Sequence, residues 1–349
     1  MLSVYAQYPT FTVFFAVFVG AIITMALMPL WIKGLKKHLI GQQVRADGPE
    51  SHLVKQGTPT MGGVVMLIAM AITVFLLAAP KLDTVFIMVA ILLTGVLGFI
   101  DDASKVAKEQ SLGLTPKAKL IGQFLIATAF VLAAVNWLDV APTIDIPFIT
   151  TLDFGILTTT LPIEVPAGEF SIPWLYVIFC DILLMGLSNA TNLTDGLDGL
   201  AAGTVMMAIL VMAAIAYRLG MLDPALVGAA IAGCCIGFLW FNAYPADIFM
   251  GDTGSLALGT ALGCIAIVTK TEVISLIVGG LFVIEALSVM IQVFYFKRTK
   301  KRLFLMAPLH HHFEKRGWSE VKVVVRFWII SACFGAVGFC LFFAQSMIA

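Results

Sequence analysis

The chain has 349 residues, 60% hydrophobic and 12% charged, with 21 basic residues balanced by 21 acidic ones. A soluble domain carries roughly 25% charged residues, so the composition excludes an ordinary soluble globule and points to a bilayer protein. A formal net charge of zero gives no general handle for nucleic acid, and what matters is where the charges sit.

A helix that crosses a hydrocarbon layer of about 30 Å needs about 20 apolar residues. In chain order, the stretches 11–32, 62–79, 83–100, 119–138, 174–190, 200–218, 224–243, 255–269, 273–296 and 325–346 meet or approach that length. The first is too long for a secretory h-region and lacks a basic n-region and an A-x-A pattern, so it predicts a true span. The fifth and eighth are short or interrupted. The expected fold is an all-α polytopic membrane protein of about ten transmembrane helices, a single integral-membrane domain over 1–349 with no appended soluble domain. No repeat of fixed period is visible.

Between the fourth and fifth stretches, 139–173 is rich in Thr, Ile and Phe and punctuated by Pro and Gly. It predicts a short hairpin or two at the outer surface. With ten spans, the segments 33–61, 101–118, 189–199, 244–254 and 297–324 share one side. With Lys119, Lys322 and Arg326 included, that side carries 18 of the 21 Lys and Arg residues, and the other keeps Lys81, Arg218 and Lys270. The positive-inside rule makes these five loops cytoplasmic and puts both termini on the periplasmic or extracellular side. The six cysteines (Cys180, Cys234, Cys235, Cys264, Cys333, Cys340) lie in apolar runs with no C-x-x-C pair. They read as buried small hydrophobes rather than metal ligands or disulfides.

The chemistry-bearing residues gather in the cytoplasmic segments. In "VKQGTPTMGG", Lys55 could meet a phosphate, though a solvated positive-inside lysine is an equal reading, and Thr60 is expected to cap the second span. "GFIDDASK" ends the third span with Asp101 and Asp102. Acids at a helix C-terminus oppose the macrodipole, so helix-end solvation beside Lys105 explains them less well than function does. Neighbours on a helix point about 100° apart, so the pair need not share a ligand. "SNATNLTDGLDGLAAG" sets Asn192, Asp195 and Asp198 three apart, on one face if helical. Gly196 and Gly199 there would let backbone approach a ligand. Asp198 could merely cap the sixth span, but one cap does not require three such residues. "FNAYPADIFMGDTGSLALG" holds Asn242, Asp247, Phe249 and Asp252 before the eighth span, with Thr253 or Ser255 as caps. The N-terminal amides of that span predict an anion site.

In "MAPLHHHFEKRGW", His310, His311 and His312 are three of the five histidines in the chain. Successive side chains cannot all converge on one ion, so a structural zinc site is not expected. Three imidazoles do offer donors, acceptors and a titratable proton beside the basic run Lys297, Arg298, Lys300, Lys301 and Arg302. That run alone would be an ordinary juxtamembrane anchor. Asp181 and Glu285 fall inside spans, where carboxylates are functional suspects, although hydrogen bonding between helices would also account for them.

Carboxylates and an Asn carbonyl without thiolates favour a hard cation, Mg²⁺ above all. With helix N-termini, lysines and Gly-flanked backbone, that is the equipment of phosphoryl transfer where bilayer meets cytosol. One reactant should then be a lipid phosphate and the other a soluble phosphate compound, with the aspartates chiefly holding metal.

Together "DDASK", "NLTDGLDGL", "NAYPADIFMGDTGSLALG" and "MAPLHHHFE" resemble the polyprenyl-phosphate N-acetylhexosamine-1-phosphate transferases over essentially the whole chain. The triple histidine is similar to one branch of that family, and the aspartate motifs are shared more widely. The resemblance implies Mg²⁺-dependent transfer of phospho-N-acetylmuramoyl-pentapeptide from its UDP carrier to undecaprenyl phosphate, giving lipid I and UMP for peptidoglycan. It also implies a homodimer in the bacterial cytoplasmic membrane with its active site on the cytoplasmic face. By the same resemblance, Asp101, Asp102 and Asp252 fall on catalytic positions, and Asp252 and Asn192 lie at the metal. Lys55, Thr60, Asn192, Asp195, Gly196, Asp198, Asn242, Phe249, Gln292, His310, His311 and His312 fall in the substrate site, with Phe249 against uracil.

A sister enzyme moving GlcNAc-1-phosphate from UDP-GlcNAc differs chiefly in the histidine segment. A CDP-alcohol phosphotransferase fits less well, because "DGLDGLAAG" lacks the expected Ala-Arg. A secondary transporter would place its site near the midplane in broken helices of repeated halves, whereas these clusters stand at helix ends.

Overall fold

The computed structural model describes residues 8–37, 57–78, 81–108 and 113–347. Among them are twelve helices: α1 (Pro9–Lys37), α2 (Gly63–Leu77), α3 (Leu82–Ala107), α4 (Pro116–Trp137), α5 (Trp174–Thr194), α6 (Leu200–Arg218), α7 (Leu222–Asn242), α8 (Gly251–Val268), α9 (Glu272–Val278), α10 (Gly280–Thr299), α11 (Leu309–Lys315) and α12 (Glu320–Ser346). Every predicted span meets a helix, and nine of the described helices are long and apolar enough to cross a membrane. The tenth, α2, has only 15 residues, about 22 Å at 1.5 Å per residue. The ninth predicted stretch breaks at Gly279 into α9 and α10.

In lipid, helix association depends on close packing rather than on escape from water. α8 is the central helix, buried at every residue from Thr253 to Val268. Only its first two residues, Gly251 and Asp252, reach the surface. Its tip is wedged between α2 and α3 where no side chain would fit. A Cβ on Gly63 would stand 2.2 Å from the Gly254 nitrogen, and one on Gly98 would stand 2.3 Å from the Asp252 carbonyl oxygen. Peripheral helices instead turn large apolar groups outward, such as Phe14, Phe75, Ile182, Phe294 and Ile329.

The 139–173 stretch forms two separate antiparallel hairpins, β1 (Thr143–Ile146) with β2 (Thr150–Asp153) and β3 (Thr158–Val165) with β4 (Gly168–Pro173). The second ladder shifts register between Leu161 and Glu164, around Pro162, which has no N–H to give. Asn136, at the end of α4, pins Ser171 of β4 by donating to its carbonyl at 2.9 Å and accepting from its N–H at 2.6 Å. The hairpins therefore sit at the end of the bundle opposite Asp101 and Asp252. Cys180, Cys234, Cys235 and Cys264 are buried as expected, but Cys333 and Cys340 are exposed on α12. The outer face of a helix at the bundle's edge has no neighbour to cover them.

Candidate active site

The tip of α8 carries the candidate site. Asp102, almost fully buried at the last turns of α3, caps α8 from outside. Its Oδ1 accepts from the Asp252 N–H at 3.1 Å, and its Oδ2 accepts from the Thr253 N–H at 2.9 Å and the Thr253 hydroxyl at 2.8 Å. The anion predicted at this N-terminus is thus supplied by the chain itself. Neither Thr253 nor Ser255 acts as a cap: Thr253 donates to Asp102, and Ser255 donates to the Gly251 carbonyl at 2.9 Å.

Capping by Asp102 brings Asp252 beside Asp101. Ligand atoms of Asp101, Asp102 and Asp252 all lie within 4.8 Å of one another, closer than two adjacent helix positions alone would suggest. Two lysines bridge them. Lys105 Nζ is 2.6 Å from Asp101 Oδ2 and 3.0 Å from Asp252 Oδ2, and Lys119 Nζ is 2.5 Å from Asp252 Oδ2 and 3.4 Å from Asp101 Oδ1. Asn192, on the last turn of α5, donates its amide to Asp252 Oδ1 and to the Ser255 hydroxyl, both at 2.8 Å. Neither lysine was singled out as a site residue from sequence. Lys105 had a signal, since it stands three and four residues after the two acids, but Lys119 meets Asp252 across 133 positions.

The donor set fits a hard cation. Three carboxylates face two ammonium groups, and Asp101 Oδ2, buried and ion-paired, receives no hydrogen bond. Asp101 Oδ1 accepts from the Leu114 N–H at 2.8 Å, which leaves Asp101 Oδ2 and the Asp252 carboxylate as the oxygens that could hold the ion. Rotating the Asn192 amide would add its carbonyl oxygen, whereas Asp102 is engaged by α8. Such an ion would supply positive charge where phosphate oxygens meet.

Beside this cluster lies the turn after α5. Loss of hydration, together with repulsion from Asp252, Asp102 and Asp198, pushes the Asp195 carboxyl up to about 8. Asp198 does not cap α6, whose N-cap is Gly199. Its Oδ2 accepts from the Ala246 N–H at 3.0 Å and its N–H donates to Glu320 at 2.9 Å. Asn242 braces the same region, accepting from the Gly199 N–H at 3.0 Å and donating to the Ile248 carbonyl at 2.8 Å. Gly199, expected to admit a ligand, instead takes a left-handed conformation, φ +78°, and accepts from the Trp328 indole at 3.1 Å.

Phe249 is half-buried, and its backbone joins the segment before α2. Its N–H donates to the Pro59 carbonyl at 2.8 Å, while Gly62 and Gly63 donate to the carbonyls of Phe249 and Met250 at 2.9 Å. These carbonyls satisfy the first amides of α2, so Thr60 does not cap that helix, whose N-cap is Gly62. Lys55 lies outside the described residues.

The three histidines diverge. His310 is fully buried with its ring against Gly196, where an added Cβ would lie 2.4 Å from Nε2. Gly196 thus admits an imidazole rather than a ligand. His311 Nδ1 meets Glu314 at 2.7 Å. His312 Nδ1 accepts from the Leu305 N–H at 3.1 Å, placing its proton on Nε2, and burial together with the Arg316 charge keeps that imidazole neutral below its usual range. Gln292 closes the same loop, accepting from the N–H groups of Leu303 at 3.1 Å and Phe304 at 2.9 Å. Of the two intramembrane acids, Asp181 accepts from Thr128 between α4 and α5 at 2.8 Å, and Glu285 binds the start of α11.

An apolar cavity of about 300 Å³ opens between α5 and the α9–α10 pair, lined by Phe179, Ile182, Leu187, Ala190, Leu276 and Leu287. Its lining on α5 ends at Ala190, on the opposite side of that helix from Asn192 two residues further on.

Sequence comparisons give this membrane bundle its class. Residues 84–270 match the model of glycosyl transferase family 4, which sets the class. Residues 55–67 match signature 1 of the phospho-N-acetylmuramoyl-pentapeptide-transferases. Curated proteins of that name from Rubrobacter xylanophilus (44% identical, covering 95% of this chain and 98% of the relative), Shouchella clausii (45%, covering 94% and 96%) and Bifidobacterium adolescentis (44%, covering 94% and 96%) are similar over nearly their whole length. The chain belongs to the phospho-N-acetylmuramoyl-pentapeptide-transferase family.

Proposed function

We propose that the protein transfers phospho-N-acetylmuramoyl-pentapeptide from its UDP carrier to undecaprenyl phosphate, releasing UMP and forming lipid I at the cytoplasmic face of the bacterial inner membrane. The observation that carries this reading is the meeting of Asp101, Asp102, Asp252, Lys105 and Lys119 at the tip of α8, beside an apolar groove along α5. The groove suits a polyprenyl tail. The soluble nucleotide substrate reaches the aspartates from the Asp195–Asp198 turn, Phe249 and the histidine segment.

An oxygen of the lipid phosphate attacks the sugar-bearing phosphorus, forming one P–O bond as the bond to the bridging oxygen breaks and leaves with UMP. A phosphate monoester has a second pKa near 6, so the nucleophile is largely dianionic at neutral pH and needs little help from a base. The obstacle is repulsion between two anions. Lys105 and Lys119 oppose it directly. A magnesium ion held by Asp101 and Asp252, with Asn192 turned to present its carbonyl, would supply further positive charge to the reacting oxygens. Asp102 acts through α8, fixing where Asp252 stands. A homodimer is part of this reading and is tested by sedimentation in detergent.

The deciding experiment mixes purified protein, Mg²⁺ and undecaprenyl phosphate with either UDP-N-acetylmuramoyl-pentapeptide or UDP-GlcNAc, and measures UMP. Release from the first donor alone, abolished by EDTA, is expected. Release from UDP-GlcNAc alone would transfer the case to the sister enzyme.

A further inference from the structure

Glu285 has no solvent exposure and stands in α10, in a helix apolar enough to cross a membrane. A buried acid in such a place needs donors from another segment. They come from the first turn of α11, where the Leu309 N–H donates to Oε2 at 2.7 Å and the His310 N–H donates to Oε1 at 3.2 Å. The same Oε1 is 3.4 Å from His310 Nδ1. The His310 ring is fully buried, and neither of its nitrogens has a hydrogen-bond partner. Its opposite edge, Nε2, presses on Gly196 so closely that no Cβ would fit between them. One carboxylate therefore holds the backbone of the histidine segment while facing the imidazole that supports the Asp195–Gly196 turn.

We infer that Glu285 is a positioning residue for the sugar-nucleotide site: it anchors α11 and orients His310, and His310 holds the Asp195–Gly196 turn in the shape that the UDP-linked substrate meets. Nδ1 thus faces the Glu285 carboxyl while Nε2 faces the turn, so the ring is held between the two. A glutamine keeps the volume of Glu285, but it offers one acceptor and one donor where the α11 amides need two acceptors. This role rests on the function proposed above, because it concerns binding of the UDP-linked donor.

The test compares wild type, Glu285→Gln, His310→Asn and the double variant. Displacement of reacting groups by about 1 Å can cost roughly a hundredfold in rate. Glu285→Gln is expected to lower kcat/KM for the UDP-linked donor by about that factor, while KM for undecaprenyl phosphate stays within about twofold. In the His310→Asn background the same change should cost little more, since the coupled pair is already broken. Hydrogen exchange of segment 303–315, measured without substrate, should rise in Glu285→Gln with the other helices unchanged. Equal losses in both backgrounds, or unchanged exchange, would overturn the role and leave Glu285 a packing residue. If Glu285→Gln fails to fold, Gly196→Ala pushes the same ring from its other side and must give the same separation of the two substrates. Wild type that releases no UMP from the muramoyl donor sinks the proposed function instead, and the exchange experiment still decides the positioning role.

Discussion

Both ends of the bundle hold lysines against carboxylates, but they are built differently. At the hairpin end each cation has its own partner. Lys81 pairs with Asp223 at 2.6 Å, Lys270 pairs with Glu272 at 2.9 Å and also donates to the Tyr176 hydroxyl at 3.2 Å, and Arg218 lies over the Phe343 ring. At the aspartate end Lys105 and Lys119 are shared among Asp101, Asp102 and Asp252, with Asp195 beside them and its carboxyl raised by burial and by their charge. Matched pairs close a structure. A surplus of acid held beside shared lysines costs stability and creates affinity for an added cation or for the charge of a reaction, so the imbalance marks the site.

The sharpest way to break this contrast is Asp252→Asn. Losing that carboxylate should lower UMP release by about a thousandfold, in line with the loss of one central electrostatic group, while the solubilised protein keeps its helical content by circular dichroism. Near-normal turnover would put the chemistry elsewhere. Next, Lys119→Met removes a shared cation and leaves acids unbalanced, which should destabilise the metal-free protein by about 3 kcal/mol, toward the low end for a broken buried pair because Lys119 is partly exposed. Millimolar Mg²⁺ should restore part of the lost thermal stability, and a melting curve indifferent to Mg²⁺ would separate the lysine from the proposed ion.

Asp195 gives a pH signature. Its folded pKa is raised to about 8, and the unfolded chain ionises near 3.9. Between about pH 4 and 8 the folded protein keeps a proton that the unfolded chain has lost, so wild-type stability falls as pH rises through that window and levels off above it. Asp195→Asn removes the effect, so its gain in Tm over wild type should widen up to about pH 8 and then hold constant. The smallest effect is expected at the hairpin end. Lys81 is 62% exposed, and Lys81→Ala should change stability by less than about 1 kcal/mol and leave turnover unchanged. A large loss of activity there would erase the contrast.

Much of the architecture was legible because lipid imposes one length and one composition on every span. The exceptions are informative. α2 begins at Gly63 because the amides of Gly62 and Gly63 bond to the carbonyls of Phe249 and Met250. Gly279 breaks a run that hydropathy reads as continuous, because glycine is as apolar to a window average as it is weak in a helix. At the site, Asn192 and Asp252 were legible as polar residues where apolar periodicity stops. Lys119 was not, since nothing near Pro116 says which acid it will meet. Thr60 and Asp198 satisfied local capping rules, yet carbonyls and amides from distant segments took the positions those rules assign.

The sequence by itself determined that this is a many-helix bilayer protein whose ionisable residues collect at one set of helix ends. Both follow from the cost of placing charge or unpaired backbone in hydrocarbon, a cost each segment bears alone. Only the tertiary structure decided that Asp102 would cap α8, that two lysines would share three aspartates, and that Glu285 would hold the histidine helix. Those choices depend on distances of a few ångströms between residues as many as 151 positions apart, which no local pattern encodes.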